Sequence, residues 1–366
     1  MRVGILGYYG QGNLGDDAVL EGLLKALERA SPRATPIVYS LHPEAVLLPD
    51  YAEVRRARIF NFPAMLKSVG EIDCVLIGGG GVLHDYSLDA PTRYLLWALA
   101  ARVRRRRVML AALGVGPVAT RLGAAQIKAT ASLADLITVR DNPSAQWLRF
   151  AGVKKPIEVL ADPALIACSR PTERQQTSPA PAVFALRPWP PLSAGNEDLA
   201  RSLAMAADAV VRRLDARALL MPFHTPGDDA FCAAVKTMME EKDRAAIIAR
   251  PTSAQQAIDM LAQASVLVSM RFHGLIFAAA AGIPMVALAC DEKLSSLMAE
   301  IGQERFSLPL EGLDPENVSA ACEGAIGDWI ESAAKAKQRF ESLQSRAARI
   351  EVHLSEFLAR AARTLS

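Results

Sequence analysis

The chain has 366 residues, enough for two domains or one large domain. Hydrophobic residues make up 51% of it, and 41 basic residues nearly balance 39 acidic ones, so no global field favours nucleic acid. The five cysteines contain no C-x-x-C pair, which argues against a zinc site or a disulfide framework and favours a reducing cytoplasm. Met1 leads directly into a predicted strand, so a signal peptide is not expected.

The chain opens with a predicted strand over residues 2–6, a glycine-rich turn and a helix over residues 18–27. This order is typical of a Rossmann-like domain, and residues 10–15 match the dinucleotide pattern G-x-G-x-x-G. Dinucleotide binding is not expected, because the second strand ends without an acidic residue and Asp16 and Asp17 would repel a pyrophosphate. Two roles stay open for Asp16, which are a helix N-cap and the binding of a hydroxyl group.

A predicted buried strand over residues 73–77 runs into four glycines, which include Gly79 and Gly80. Glycines let the backbone approach a ligand or another loop closely, and a tight connection from strand to helix is the alternative interpretation. Further on, residues 102–107 form a basic run. A solvated helix end is the favoured interpretation of that run, and contact with an anionic membrane surface is the second one.

Arg140 ends a predicted strand over residues 136–140. The carboxyl ends of strands face the ligand crevice in open parallel sheets, so Arg140 is a candidate binding residue. The structural alternative is a salt bridge with Asp141 or Asp162. The choice between these two roles depends on the fold.

A polar, proline-rich segment at residues 169–182 has the composition of a linker. It separates an N-terminal domain, residues 1–168, from a C-terminal domain, residues 183–340, in which strands and helices alternate again. A C-terminal helix over residues 341–366 completes the chain. The pattern predicts an α/β protein with two Rossmann-like, doubly wound domains that face a cleft.

The most informative stretch starts with S-M-R-F-H-G at residues 269–274, where a predicted strand ends. An apolar helix over residues 275–281 and a strand over residues 285–289 follow, and Asp291 and Lys293 come directly after them. This order brings arginine, histidine and lysine to one rim of a sheet, at a helix N-terminus that favours anions. The apolar run is broken by Gly-Ile-Pro, so a transmembrane helix is not expected.

The charged side chains at these strand ends are Arg140, Arg271, His273 and Lys293. Arginine binds carboxylates and phosphates through a bidentate fork, lysine acts as a point charge, and histidine moves protons near neutral pH. Phosphoenolpyruvate carries both a carboxylate and a phosphate and suits this set. A sugar nucleotide suits it nearly as well, so the residues alone leave both substrate classes open.

These motifs resemble those of the polysaccharide pyruvyl transferase family. The matching motifs are G-Y-Y-G-x-x-N-x-G-D at residues 7–16, the glycine cluster, V-R-D, A-D-P, S-x-R-x-H-G and D-x-K. The resemblance implies a GT-B-like fold, in which a terminal helix often returns to the first domain. It also implies a cytoplasmic bacterial enzyme that transfers the enolpyruvyl group of phosphoenolpyruvate onto two hydroxyls of a sugar. The products would be a pyruvate ketal and phosphate.

The same resemblance implies partners and roles. The acceptor would be a cell-wall or exopolysaccharide precursor on a polyprenyl diphosphate carrier, met at the inner membrane face, and phosphoenolpyruvate would be the co-substrate without a cofactor or metal. The residues that bind phosphoenolpyruvate would be Arg140, Arg271, Gly274 and Lys293. The catalytic residues would be Asp16 and His273, which moves a proton to the methylene carbon or from a sugar hydroxyl. The acceptor-binding residues would be Tyr9, Gln11, Asn13, Gly79 and Gly80.

Two other functions stay open. A nucleotide-sugar glycosyltransferase or epimerase of the GT-B type would share the architecture and would bind UDP or GDP sugars. A non-catalytic glycan-binding protein would bind saccharide without releasing phosphate, although a neutral sugar does not require four cationic side chains. Ligand binding and phosphate release separate these functions.

Overall fold

A computed structural model describes residues 1–58, 60–172, 179–189 and 195–365 of the chain. The chain forms two compact units. Unit 1 comprises Met1–Ala167 and Leu343–Ser366, and unit 2 comprises Cys168–Ser342. Of the predicted linker, residues 173–178 lie outside the described residues, and the predicted domain boundaries stay a prediction.

Unit 1 contains a seven-stranded parallel sheet. Its strands are β1 (Arg2–Leu6), β2 (Thr35–Ser40), β3 (Glu53–Arg56), β4 (Cys74–Gly78), β5 (Arg107–Leu113), β6 (Leu136–Val139) and β7 (Glu158–Val159). They lie in the order β3-β2-β1-β4-β5-β6-β7, the order of a doubly wound Rossmann sheet. Both faces of the central strands are covered, so these strands are nearly continuous apolar runs.

Six helices of unit 1 connect these strands or follow the last one. They are α1 (Leu14–Ala30), α2 (Phe62–Gly70), α3 (Asp89–Val103), α4 (Arg121–Leu133), α5 (Asn142–Phe150) and α6 (Ala164–Ala167). One hydrophobic core lies between the sheet and helices α2, α3, α4 and α5. In it Trp97 packs against Tyr39 with ring centroids 4.7 Å apart. Burial of a large apolar side chain stabilises the fold by about 1.5–3 kcal/mol.

Unit 2 repeats the pattern with a six-stranded parallel sheet. Its strands are β8 (Ala182–Ala185), β9 (Ala218–Leu220), β10 (Ala245–Ile247), β11 (Val266–Ser269), β12 (Met285–Ala289) and β13 (Ser307–Pro309). The order β10-β9-β8-β11-β12-β13 is again that of a Rossmann sheet. The helices are α7 (Gly195–Leu214), α8 (Gly227–Met238), α9 (Ala254–Leu261), α10 (Phe272–Ala281) and α11 (Glu292–Ile301).

The long apolar run of the sequence becomes helix α10 and strand β12, as predicted. Gly282 ends the helix in the left-handed conformation, with φ 68°, which glycine adopts without a steric cost. Pro284 follows directly and cannot continue a helix. Among the described residues, no helix combines the length and the apolar character that crossing a membrane requires.

The chain ends in two helices, α12 (Pro315–Ala348) and α13 (Ile350–Leu365). Helix α13 belongs to unit 1 and packs on α1, where Arg29 pairs with Glu351 at 3.0 Å. This confirms the expectation that a terminal helix returns to the first domain. Arg349 separates the two helices.

Candidate functional site

In unit 1 the glycine-rich turn leads from β1 into helix α1, and Asn13 is the N-cap. Its side-chain oxygen accepts a hydrogen bond from the backbone N–H of Gly15 at 3.1 Å. Asp16 lies inside the first turn of the helix and is buried, so the N-cap alternative for Asp16 is wrong. Asp17 accepts a hydrogen bond from the N–H of Gly10 at 3.1 Å. The positive end of the helix dipole favours both carboxylates.

The two tyrosines of the turn have different environments. Tyr9 has 0% exposure and its hydroxyl donates a hydrogen bond to the carbonyl of Gly78. Burial raises the pKa of Tyr9 well above its usual value. Tyr8 is 36% exposed, and burial followed by the charge of Asp16 raises its pKa. The ring of Tyr8 therefore lies partly at the surface, whereas that of Tyr9 is enclosed. Gln11 is half-buried in the same turn.

The glycine cluster after β4 packs against helix α1. Gly79 and Gly80 both have φ 74°, a conformation that other residues rarely adopt. A Cβ on Gly80 would collide with the carboxylate of Asp16, and one on Gly79 would collide with Val19. These glycines therefore let helix α1, which carries Asp16, lie close to the backbone of the cluster. The position of this carboxylate depends on the glycine at residue 80.

Arg140 follows β6 and is only 5% exposed. Its Nη1 donates a hydrogen bond to Oδ2 of Asp162 at 2.7 Å, and its Nε lies 3.4 Å from Oδ2 of Asp141. Burial alone would lower the pKa of Arg140, but Asp162, Asp141 and Asp16 outweigh it and raise that pKa. The salt bridges of the structural alternative are thus present. Arg140 stays charged and is held in one position.

Two glycines provide the space for this guanidinium. A Cβ on Gly114 would lie 2.7 Å from Nε and 2.9 Å from Cζ of Arg140, and one on Gly81 would lie 3.5 Å from Nη2. Gly114 follows β5 and its N–H donates a hydrogen bond to the carbonyl of Gly80 at 2.8 Å. The ends of β4, β5 and β6 therefore meet around Arg140, as expected for neighbouring parallel strands.

In unit 2 the S-x-R-x-H-G motif forms the turn from β11 to α10. The hydroxyl of Ser269 accepts a hydrogen bond from the N–H of Arg271 at 3.0 Å and donates one to its carbonyl at 2.8 Å. A Cβ on Gly274 would lie 2.6 Å from that hydroxyl, so the glycine lets the helix pack under the turn. Serine and glycine shape the turn, and Arg271 occupies the N-cap position of α10.

The guanidinium of Arg271 pairs with Asp228, which lies in the first turn of helix α8. Asp228 is fully buried, and Arg271 is 9% exposed. The Oδ2 of Asp228 accepts hydrogen bonds from the N–H groups of Phe223 and His224, each at 3.0 Å, and its Oδ1 contacts Nη2 of Arg271. A carboxylate with three such partners is well satisfied in the interior. It fixes the direction of the arginine side chain.

His273 and Lys293 lie in the first turns of two successive helices. His273 is half-buried in α10, with ring centroids 5.4 Å from Phe272 and 6.4 Å from Phe277. Lys293, in α11, pairs with Asp291 at 2.8 Å, and Asp291 occupies the N-cap position of that helix. The histidine therefore has largely aromatic neighbours, and the lysine already has a carboxylate partner.

Arg187 is a further cation that the sequence analysis missed. It follows β8, and its guanidinium lies 5.1 Å from the ring centroid of Trp189. Burial is the largest cause that raises the pKa of Cys290, to about 11, while the charges of Lys293 and Arg187 oppose it. Arg187 thus lies near Cys290, which directly follows β12. Arg187 follows a strand, as Arg140 does, so the criterion that identified Arg140 in the sequence could also have identified Arg187.

The two clusters differ in charge. In unit 1, one arginine lies among the carboxylates of Asp16, Asp141 and Asp162, so the cluster is acidic. In unit 2, the cations Arg187, Arg271 and Lys293 lie with the carboxylates Asp228, Asp229 and Asp291, so these charges balance. The cluster of unit 2 is therefore less acidic than that of unit 1. Among the described residues, no cluster of His, Cys, Asp and Glu side chains is arranged to hold a metal ion.

The model of the polysaccharide pyruvyl transferase family matches residues 13–292. None of the curated protein sequences compared with this one matches it. Among solved structures, Anabaena HepE in complex with UDP and glucose is 13% identical, with a TM-score of 0.63 over 98% of this chain and 99% of that one. The UDP-GlcNAc 2-epimerase of Methanocaldococcus jannaschii is 14% identical, with a TM-score of 0.58 over 88% and 92%.

Staphylococcus aureus MnaA in complex with UDP is 13% identical, with a TM-score of 0.62 over 95% of this chain and 94% of that one. At these identities the similarity shows the fold alone, two Rossmann-like domains of the GT-B type. The family match includes Asp16, Arg140, Arg271 and His273, and it spans most of the chain. The chain therefore belongs to the polysaccharide pyruvyl transferase family.

Proposed function

We propose that this protein transfers the enolpyruvyl group of phosphoenolpyruvate onto two hydroxyls of a sugar, forming a pyruvate ketal and releasing phosphate. The family membership supports a polysaccharide or its precursor as the acceptor. The observation that carries the proposal is the Arg271 guanidinium, fixed by buried Asp228, with His273 two residues later in the same helix start. This arrangement offers an oriented cation beside a group that can transfer a proton.

Unit 2 would bind phosphoenolpyruvate. It holds the three cations Arg187, Arg271 and Lys293, and the N-terminus of α10 adds a positive dipole end next to Arg271. In the proposal Arg271 binds the carboxylate or the phosphate through a bidentate fork, and Lys293 neutralises the leaving phosphate. Gly274 contributes by letting α10 pack close to Ser269. Arg187 joins this set.

Unit 1 would bind the sugar acceptor. Carboxylates accept hydrogen bonds from sugar hydroxyls, and Asp16 lies in the first turn of α1, where the glycine at residue 80 leaves room for its carboxylate. Gln11, Asn13, Gly79 and Gly80 lie in the same segments, and we include them in this proposal. The exposed ring of Tyr8 takes the place of the buried ring of Tyr9 as an apolar sugar surface. Arg140 is proposed to contact phosphoenolpyruvate from the position in which Asp162 holds it.

The reaction balances with two proton movements. The methylene carbon of phosphoenolpyruvate gains one proton and becomes a methyl group. The carbon next to the methylene carbon forms bonds to both sugar oxygens, and the bond between this same carbon and the phosphate oxygen breaks. One of the two hydroxyl protons replaces the proton given to the methylene carbon, and the other leaves with phosphate. His273 transfers a proton in this sequence, to the methylene carbon or from a hydroxyl.

The setting in the cell is part of the same proposal. We propose that the acceptor is a cell-wall or exopolysaccharide precursor on polyprenyl diphosphate, that phosphoenolpyruvate is the co-substrate without a further cofactor, and that the protein works in the cytoplasm against the inner membrane face. The basic run at residues 102–107 supports contact with anionic lipids. Part of that run is internally paired, because Arg102 contacts Asp135 at 3.2 Å.

Thermal unfolding with phosphoenolpyruvate, phosphate, pyruvate, UDP and UDP-sugars tests the proposal, because a ligand of the folded state raises the unfolding temperature. We expect a shift with phosphoenolpyruvate that is lost in Arg271→Ala and Arg140→Ala and kept in Arg244→Ala. Arg244 is the control, since it pairs with Asp215 on the surface of unit 2. Phosphate release with an acceptor then distinguishes an enzyme from a glycan-binding protein. Absence of any shift with phosphoenolpyruvate would contradict the assignment of the substrate.

A nucleotide-sugar enzyme is the second candidate. The observation that favours it is the fold shared with HepE and MnaA, whose structures contain UDP. In that case the cations of unit 2 would bind the diphosphate of the nucleotide. A thermal shift with UDP-sugars and none with phosphoenolpyruvate would establish this reading instead.

A further inference from the structure

The edge of the unit 1 sheet contains a cavity of about 390 Å³ between strand β3 and helix α2. Four of its lining residues are cationic, and they are Arg55, Arg56, Arg58 and Lys67. No candidate site residue of unit 1 lines it. The volume lies in the range of small-ligand pockets.

Two of these cations have carboxylate partners. Arg55 lies between Glu53, at 2.8 Å, and Glu71, at 2.5 Å. Arg56 contacts Glu44 at 3.3 Å and donates a hydrogen bond to the carbonyl of Leu41 at 2.8 Å. Their charges are therefore compensated on the protein itself, and both guanidiniums are held in place. Both line the cavity, together with Glu71.

The other two cations, Arg58 and Lys67, have neither an ion pair nor a hydrogen bond within the described part of the chain. Both are exposed to solvent and both line the same cavity. Two cations that share a cavity without internal partners suit a ligand with two negative charges. A guanidinium offers a bidentate fork and an ammonium offers a point charge, which together match phosphate oxygens.

The start of helix α2 adds to this preference. Asn61 is its N-cap, and its side chain accepts a hydrogen bond from the N–H of Ala64 at 3.0 Å. Asn61 and Ala64 both line the cavity, so the positive end of the α2 dipole lies at its wall. The start of the helix and the cations therefore both favour a negatively charged ligand.

We propose that this cavity is a binding site for a phosphate or diphosphate group, separate from the candidate site for pyruvyl transfer. The group can come from a soluble phosphorylated compound or from the headgroup of a membrane lipid. Phe60, which directly precedes the lining residue Asn61 in the chain, is 50% exposed. An apolar side chain beside a phosphate site suits a lipid.

Binding of inorganic diphosphate to the full chain tests the site. Binding is measured by calorimetry at about 0.15 M salt. At this concentration the salt screens exposed charges more than about 8 Å apart, so the measured heat reports mainly on direct contacts with the ligand. The test variant is Arg58→Ala with Lys67→Ala. The matched control is Arg33→Ala with Lys154→Ala, which removes two exposed cations of the same unit and leaves the same net charge.

A second experiment tests whether the phosphate group belongs to a membrane lipid. Co-sedimentation with phosphatidylcholine vesicles that do or do not contain phosphatidic acid uses the same variants. We expect the test variant to bind diphosphate at least roughly tenfold more weakly than wild type and the control to bind as wild type, because charge-assisted hydrogen bonds are lost. Vesicle binding that needs phosphatidic acid and both cations, without binding of diphosphate, supports the site and assigns it to a lipid.

Three results would overturn the proposal. The wild-type protein could bind neither diphosphate nor phosphatidic acid vesicles. The test and control variants could lose the same affinity, or the test variant could lose none. A Lys67→Glu variant provides a second measurement, because charge reversal should weaken binding more than truncation does. None of these residues belongs to the proposed pyruvyl transfer site, so phosphate release from phosphoenolpyruvate in the test variant reports separately on that function.

Discussion

Asp228 holds Arg271 in an ion pair in which the carboxylate is fully buried and the guanidinium is 9% exposed. The same carboxylate accepts two backbone hydrogen bonds from the segment that follows β9. The arginine is thus a fixed cation. Removal of one partner of a buried pair leaves an uncompensated charge, which costs about 3–5 kcal/mol.

A double-mutant cycle on Asp228→Ala and Arg271→Ala should show this coupling. We expect each single variant to lower the free energy of unfolding by about 3–5 kcal/mol, and the double variant to lose less than the sum, because it leaves no unpaired charge. Chemical denaturation measures all four proteins. Arg244→Ala, at the exposed pair with Asp215, should cost under about 1 kcal/mol. Additive losses would show that the pair is not coupled.

Gly114→Ala should disturb Arg140. The new Cβ would lie 2.7 Å from the guanidinium Nε, so the guanidinium must shift from the position in which it bonds Asp162. We expect a stability loss of about 1–3 kcal/mol from overpacking, together with weaker binding of phosphoenolpyruvate in thermal shift experiments. Gly327→Ala is the matched control, since nothing lies within 4 Å of its Cβ position in helix α12. That control should gain about 0.5–1 kcal/mol. If Gly114→Ala binds phosphoenolpyruvate as wild type does, Arg140 is not a ligand contact.

His273→Ala and His273→Gln test the proton transfer. Loss of a general acid or base typically lowers turnover by a factor of about 10²–10⁴, so both variants should fold normally and release phosphate at least roughly 100-fold more slowly. His42→Ala, at an exposed histidine of unit 1, should keep the wild-type rate. Turnover above half the wild-type value in a folded His273 variant would show that the assigned role is wrong.

The pH dependence of stability should depend on buried thiols. Burial raises the pKa of Cys322 from 9.0 to about 12, so it stays protonated in the folded protein while it ionises in the unfolded chain. Its contribution is therefore complete below about pH 9 and declines by about 1.4 kcal/mol for each pH unit from there to about pH 12. Denaturation between pH 8 and pH 11 measures the slope. Cys322→Ala should have a shallower alkaline slope than wild type; parallel slopes would contradict the raised pKa.

Several features of the site follow from contiguous residues and were predicted correctly. The order strand, turn, helix and strand around the S-x-R-x-H-G motif is confirmed, since apolar periodicity and the Gly-Ile-Pro stop act locally. The placement of Arg140 and Arg271 at carboxyl ends of strands is confirmed for the same reason. The choice of Asn13 over Asp16 as the N-cap was missed, because it depends on where the first helical turn begins.

The sequence by itself determined the order of the elements, the two Rossmann-like sheets, the return of the terminal helix by analogy, and the family. Only the tertiary structure decided the charge of each cluster and which tyrosine is exposed. Arg271 and Asp228 are 43 positions apart, and Arg140 and Asp162 are 22 apart, so each pair forms only when the strand order brings their loops together. Local patterns set the period of a helix or strand, whereas ion pairing and burial depend on neighbours distant in the chain.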